Sequence, residues 1–182
     1  RHRKVLIVVQ HQNEALLASK THIMKAWEEM AHVVGRSYEP VETYKLEGAD
    51  TAFLTMGSFS ETASIAIDRL REQGNPVGQI KLRLWRPFPF DEIREAIKGI
   101  KNLIVIDRAI SYGGPGGPVA SEIRAALYGE KSMPAVANFL CGFAGRDVTP
   151  DDFIKMYAKT GELLKGGKAI REEDYILYGV RE

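Results

Sequence analysis

Lys101-Asn-Leu-Ile-Val-Ile-Asp107 is apolar without interruption at its centre and closes on an acid. A strand with one wet face alternates, whereas a strand covered on both faces reads as one continuous apolar run, so this segment belongs inside a sheet with helices on both sides. Working outward, Thr51-Ala-Phe-Leu-Thr-Met56 is a short apolar run closed by Gly57-Ser58, and Val77 to Leu84 and Ala135 to Leu140 supply two more strands. Between them lie segments of helical period: about Ser60 to Glu72, with Ala63, Ile65, Ala66, Ile67 and Leu70, then Asp91 to Gly99, Val119 to Tyr128 and Thr149 to Lys165. Asp91 is expected to cap its helix, and Thr149-Pro150-Asp151-Asp152 supplies a cap, a first-turn proline and first-turn acids.

Strands that alternate with helices need long crossovers, and these are right-handed. The expected fold class is therefore α/β: a mainly parallel twisted sheet with helices on both faces. The expected divisions are an amino-terminal helical arm and connector over 1–50, the α/β domain over 51–165 and a carboxy-terminal arm over 166–182. In the first arm, Leu16, Leu17, Ile23, Trp27, Met30 and Val34 recur near the helical period and Gly35 ends the run. Lys4-Val-Leu-Ile-Val-Val9 fits either a short strand or the first turns of that helix. The last arm carries Tyr175, Ile176, Leu177 and Tyr178 among charges, as a segment that packs onto something would.

Composition excludes several classes. Of 182 residues 45% are hydrophobic, and 25 basic residues against 24 acidic ones give a net charge of +1, without the basic face of a nucleic-acid binder. The strongly apolar run Val5 to Val9 is far short of the roughly 20 residues that span a bilayer, and short of a signal peptide's core despite Arg1, Arg3 and Lys4 ahead of it. No membrane or nucleic-acid partner is expected. The single cysteine, Cys141, rules out an internal disulfide and points to a reducing cytoplasm. In Asn138-Phe-Leu-Cys-Gly142 it ends an apolar strand, as a small core residue does. His2, His11, His22 and His32 lack the spacing that brings two ligands onto one helical turn, so no metal site and no catalytic residue is assigned.

Three segments could carry function. Ser111-Tyr-Gly-Gly-Pro-Gly-Gly-Pro118 follows Asp107 and Arg108 and opens a helix, where exposed amides favour anions. Ser58, Arg108, Ser111, Gly113, Gly114, Gly116 and Gly117 could thus receive a phosphate or carboxylate, with Asp107 at the strand end. The loop has neither the dinucleotide spacing nor the phosphate-loop lysine, so a tight turn at a packing surface is the other reading. Arg83-Leu-Trp-Arg-Pro-Phe-Pro-Phe90 is either a hydrophobic corner of the core or an interface anchor built on Trp85, Arg86, Phe88 and Phe90. Gly142-Phe-Ala-Gly-Arg-Asp-Val-Thr-Pro-Asp151 is mostly helix punctuation, with Arg146 free to meet Asp147 or a partner.

Leu54-Thr-Met-Gly-Ser58, Lys81-Leu-Arg-Leu-Trp-Arg-Pro-Phe-Pro89, Val105-Ile-Asp-Arg108 with Ser111, and Gly145-Arg-Asp-Val-Thr149 come in one order and spacing. In this, from about Gly35 to Lys159, the chain resembles the alpha subunits of pyruvate:ferredoxin oxidoreductases. The resemblance implies a domain like the carboxy-terminal domain of transketolase. It further implies an assembly that oxidatively decarboxylates a 2-oxoacid, with pyruvate favoured, to an acyl-coenzyme A and passes electrons to ferredoxin.

In that assembly thiamine diphosphate, Mg and 4Fe-4S clusters would sit on other domains or subunits. No Gly-Asp-Gly motif and no cysteine set occurs here to hold them. The isolated chain is then expected to be an inactive structural and assembly domain. The alternatives are a freestanding anion- or nucleotide-binding module, and the carboxy-terminal domain of a transketolase or pyruvate dehydrogenase beta chain. Residues 113 to 118 are richer in glycine and proline than the family's usual loop, which leaves the 2-oxoacid open.

Overall fold

The computed structural model describes residues 2–165, 170–171 and 173–180. The remaining residues, including 166–169 of the expected carboxy-terminal arm, lie outside that description. Thr51–Met56, Val77–Leu82, Asn102–Asp107 and Ala135–Leu140 form four parallel strands, here β2, β3, β4 and β5. A short strand joins each edge of these four: the four-residue β1, Val41–Tyr44, runs antiparallel beside β3, and the two-residue β6, Ile176–Leu177, runs parallel beside β5. The order across the sheet is β1-β3-β2-β4-β5-β6.

The described residues also form five α-helices: α1, His2–Val34; α2, Phe59–Glu72; α3, Phe90–Ile97; α4, Pro118–Leu127; and α5, Pro150–Leu164. The uninterrupted run of β4 has its explanation in the two layers beside it. Leu103 and Val105 face Ile93, Ile97, Ala120 and Ile123 of α3 and α4, while Ile104 and Ile106 face Ala63, Ile67, Phe153 and Met156 of α2 and α5. Each fully buried isoleucine, leucine or phenylalanine contributes about 1.5–3 kcal/mol, so neither layer is dispensable. Phe53 of β2 meets Phe153 of α5 edge to face at 5.5 Å, which pins the second layer at its centre.

One open reading is settled and one local expectation is corrected. Lys4 to Val9 is helix, continuous with a 33-residue α1 that ends where Gly35 turns to φ 68. Asp91 does not open α3: the helix begins one residue earlier, with Pro89 as its cap position and no side-chain cap bond, because the Ile93 amide already donates to Pro89 O at 3.0 Å. At α5 the expected punctuation stands, with Thr149 and Asp152 bonding reciprocally in a capping box behind Pro150.

Candidate functional site

Because β2 leads to β3 on one side and β4 to β5 on the other, the sheet has its topological switch point between β2 and β4. In open α/β sheets the crevice outside the carboxyl ends of the strands at such a point is where ligands bind. All the residues singled out in the sequence lie at this edge, on the four exits of β2, β3, β4 and β5: Ser58, Trp85 to Phe90, Asp107 to Gly117, and Arg146.

Arg108 ties three of these exits together. Its Nε donates to Gly142 O at 3.2 Å, and its guanidinium lies 5.5 Å from the centre of the Phe59 ring. A Cβ on Gly142, whose φ is 73, would stand 2.8 Å from that same ring, so the β2 and β5 loops touch backbone to aromatic. Ser58 occupies the cap position of α2, exposed and without a side-chain cap bond.

The glycine loop is closed on itself. Ser111 N donates to Gly116 O at 2.8 Å, Gly114 N to Ser111 O at 2.8 Å, Gly116 N to Gly114 O at 3.0 Å and Gly117 N to Asn138 Oδ1 at 2.8 Å. The first amides of α4, those of Val119 and Ala120, donate to the two carboxylate oxygens of Asp107 at 2.8 and 3.1 Å. The anion that a helix start attracts is thus supplied by the chain's own strand end. Burial pushes the Asp107 carboxyl above its ordinary value, against the opposing pull of those two amides and of Asn138.

These bonds explain why the loop is glycine where it is. A Cβ on Gly117 would fall 2.1 Å from the Asp107 carboxyl group, and one on Gly116 would fall 2.5 Å from Asn138 Oδ1. Gly113, at φ 71, needs glycine for its backbone alone. The loop's tip carries Tyr112, 93% exposed.

At the exit of β3, Trp85 and Phe88 meet edge to face at 5.8 Å and pack against the α3–α4 layer. Phe90 lies 4.9 Å from Phe88 but is 48% exposed. Arg86 stacks 4.8 Å over Trp85 and makes a two-pronged bond to Glu122 of α4, at 2.8 and 2.5 Å. Arg146 does not pair with Asp147; its guanidinium donates to Gly179 O in the arm.

Sequence reasoning missed Asn138 and a second buried polar group. Gln79 donates to Thr55 Oγ1 at 2.9 Å and to Ser60 O at 2.8 Å, and accepts from Ser64 at 2.8 Å, locking α2 to β2 and β3. The available signal was a single amide inside each of two apolar strands.

The described residues offer no ligand set for a metal ion or an iron-sulfur cluster. Among the described residues no three His, Cys, Asp or Glu side chains converge as a metal site. Cys141 is buried, and burial first, then the negative charges of Asp152 and Asp107 against Arg108, push its thiol up to about 12, far from a thiolate ligand.

Residues 49–153 match the family model of pyruvate:ferredoxin oxidoreductase core domain II. The chain belongs to this family. As a core domain II, it is 39% identical over 155 residues to the pyruvate synthase subunit PorA of Pyrococcus furiosus, covering 85% of the chain and 39% of that relative. It spans about two-fifths of the length of the curated relatives it matches. Core domain II also superposes on a 2-oxoglutarate:ferredoxin oxidoreductase of Magnetococcus marinus, solved with 2-oxoglutarate, coenzyme A and succinyl-CoA bound. That match has TM-score 0.52 and 25% identity, over 68% of this chain and 20% of the other. A split-gene transketolase in an inactive β4 tetramer, at TM-score 0.50 and 19% identity over 70% of this chain and 44% of the other, shares the fold.

Proposed function

We propose that this chain is the structural and assembly domain of a 2-oxoacid:ferredoxin oxidoreductase. In that assembly other domains or subunits carry thiamine diphosphate, Mg and 4Fe-4S clusters, and the 2-oxoacid is converted to its acyl-coenzyme A. Pyruvate is the favoured substrate, on the strength of the match to pyruvate synthase subunits. Ferredoxin takes the electrons, and a buried free thiol suits the reducing cytoplasm.

One observation carries this reading beyond family membership. The amides of Ser111, Gly114, Gly116 and Gly117 in the loop and of Val119 and Ala120 at the α4 start are used by Asp107, Asn138 and the loop itself, so the carboxyl edge offers a neighbour mainly side chains rather than an anion cradle. Arg108, Tyr112 and Phe90 are what it presents. Aromatic and arginine side chains of this kind are the ones enriched at interface centres.

The test is a dye-reduction assay with pyruvate, coenzyme A, thiamine diphosphate and Mg. The chain alone is expected to be inactive, and activity is expected when it is combined with the cofactor-bearing chains of the oxidoreductase. Turnover by the chain alone overturns the proposal.

A further inference from the structure

At the amino edge of the sheet, away from the loops described above, a cavity of about 300 Å³ lies between the starts of β2 and β4 and the end of α5. Asp50, Thr51, Asn102, Tyr157 and Gly161 line it. Thr51 and Asn102 are partners in the β2–β4 register, and their side chains form a relay. Asn102 Nδ2 donates to Thr51 Oγ1 at 3.1 Å, and Thr51 Oγ1 donates to Asp50 Oδ1 at 3.0 Å. A hydroxyl has one proton, and Thr51 gives it to a carboxylate that only accepts, so Asn102 must turn its NH2 group toward Thr51.

Three oxygens are left over: Asn102 Oδ1, Asp50 Oδ2 and the Tyr157 hydroxyl. Among the described residues none of the three makes a hydrogen bond, and no ion pair includes the half-buried Asp50. Burial first, and then the negative charge of Asp50, raises the Tyr157 phenol above its ordinary pKa, so its hydroxyl stays neutral beside the carboxylate.

Gly161 is an independent sign that something else belongs here. It lies inside α5, Pro150–Leu164, where glycine is a poor helix former. A Cβ on it would meet nothing within 4 Å, so no contact of this chain asks for glycine. A missing side chain at such a point lets another backbone come close.

Resting on the assembly role proposed above, we infer that this cavity receives the guanidinium of an arginine side chain from the cofactor-bearing part of the oxidoreductase. A guanidinium is planar and has five N–H donors and no acceptor, which answers three leftover oxygens and one unpaired negative charge. Its flat face can lie on the Tyr157 ring while its edge meets the oxygens. Pro76, Ala158 and Leu164 complete the wall and suit the three-carbon stem. The volume is at the lower limit, about 300 Å³, of cavities that take a free organic ligand. The open space at Gly161 points to a group that arrives on a polypeptide. Because the chain spans only 43 and 39% of two of its relatives, the rest of such a protein can supply that polypeptide.

Two substitutions test this. Asp50→Asn keeps the bond from Thr51 and removes the charge, whereas Gly161→Ala fills the gap and favours the helix. In the chain alone, Gly161→Ala is expected to raise the melting temperature by about 2–4 °C, and Asp50→Asn to leave it within about 2 °C of wild type. Titrated against the cofactor-bearing chains, with co-elution as the readout, both variants are expected to bind about tenfold or more weaker. In the chain alone, methylguanidinium chloride at millimolar concentration is expected to shift the backbone amide resonances of Thr51, Asn102 and Gly161. Methylammonium chloride should not do so, and Asp50→Asn should abolish the shift.

If either variant assembles like wild type, the inference is overturned while the assembly role stands. Methylguanidinium shifts combined with unaltered assembly would assign the cavity to a free guanidinium compound, which removes the neighbour as the source. Equal shifts with methylammonium overturn the guanidinium. Failure of the wild-type chain to co-elute defeats the assembly role itself, and the neighbour's arginine with it.

Discussion

Asn138 Nδ2 donates to Asp107 Oδ2 at 2.9 Å while Asn138 Oδ1 accepts from Gly117 N at 2.8 Å, so one buried amide on β5 holds both the end of β4 and the end of the glycine loop. The same Nδ2 also reaches Val105 O at 3.2 Å. Asn138→Leu removes all three bonds and leaves the Gly117 amide buried without an acceptor. The expected loss is about 2–4 kcal/mol, seen as a lower midpoint with unchanged slope in urea denaturation. A loss under about 0.5 kcal/mol would show that the network does not hold the loop.

Two glycines of that loop separate packing from backbone freedom. At Gly117, in extended backbone of φ −85, an added methyl group meets the Asp107 carboxyl at 2.1 Å, with no flexible side-chain end to move aside. At Gly113 the space is open and only the φ of 71 resists. Gly117→Ala is expected to cost about 3 kcal/mol or more, and Gly113→Ala about 1–2 kcal/mol. Equal costs in thermal or urea unfolding would contradict this division.

What the sequence made legible is what depends on neighbours close in the chain. The β4 run and the helical periods of α2, α4 and α5 carry their own signal, and so does the Thr149–Asp152 capping box. Strand β1 and strand β6, of four and two residues, are too short to show a period, and they exist because an open edge of β3 or β5 is available to pair with. Lys4 to Val9 is β-branched, yet continuity with a long helix settles it against its propensity. Asn138 was opaque for a different reason: an amide in an apolar strand means nothing until Asp107, 31 residues away, is placed opposite it.

The capping box of α5 gives a pH dependence. Burial pushes the Asp152 carboxyl up, but donation from the Thr149 amide at 2.9 Å, the Thr149 hydroxyl at 2.8 Å and the Tyr178 hydroxyl at 3.0 Å outweighs it and holds the pKa below its ordinary value. A carboxylate with a depressed folded pKa contributes stability that is present above its unfolded value of 3.8 and lost as pH falls through the folded pKa. Asp152→Asn should therefore be less stable than wild type at neutral pH. Below about pH 4 the gap should close. A gap that is constant from neutral to acid pH would mean that the charge plays no part.

The aromatic corner can be divided by one pair of substitutions, because its rings differ in what they touch. Trp85 packs edge to face on Phe88 and against the α3–α4 layer, so Trp85→Ala opens a cavity and is expected to cost about 3 kcal/mol in the isolated chain. Phe90 keeps 48% of its surface in water, and its substitution by alanine should cost under about 1.5 kcal/mol. If the corner meets a neighbouring domain, Phe90→Ala should instead weaken assembly with the cofactor-bearing chains about tenfold or more, read as co-elution or as restored dye reduction. If Phe90→Ala leaves assembly untouched, the corner belongs to the core, and the interface at this edge must be sought at Tyr112 and Arg108.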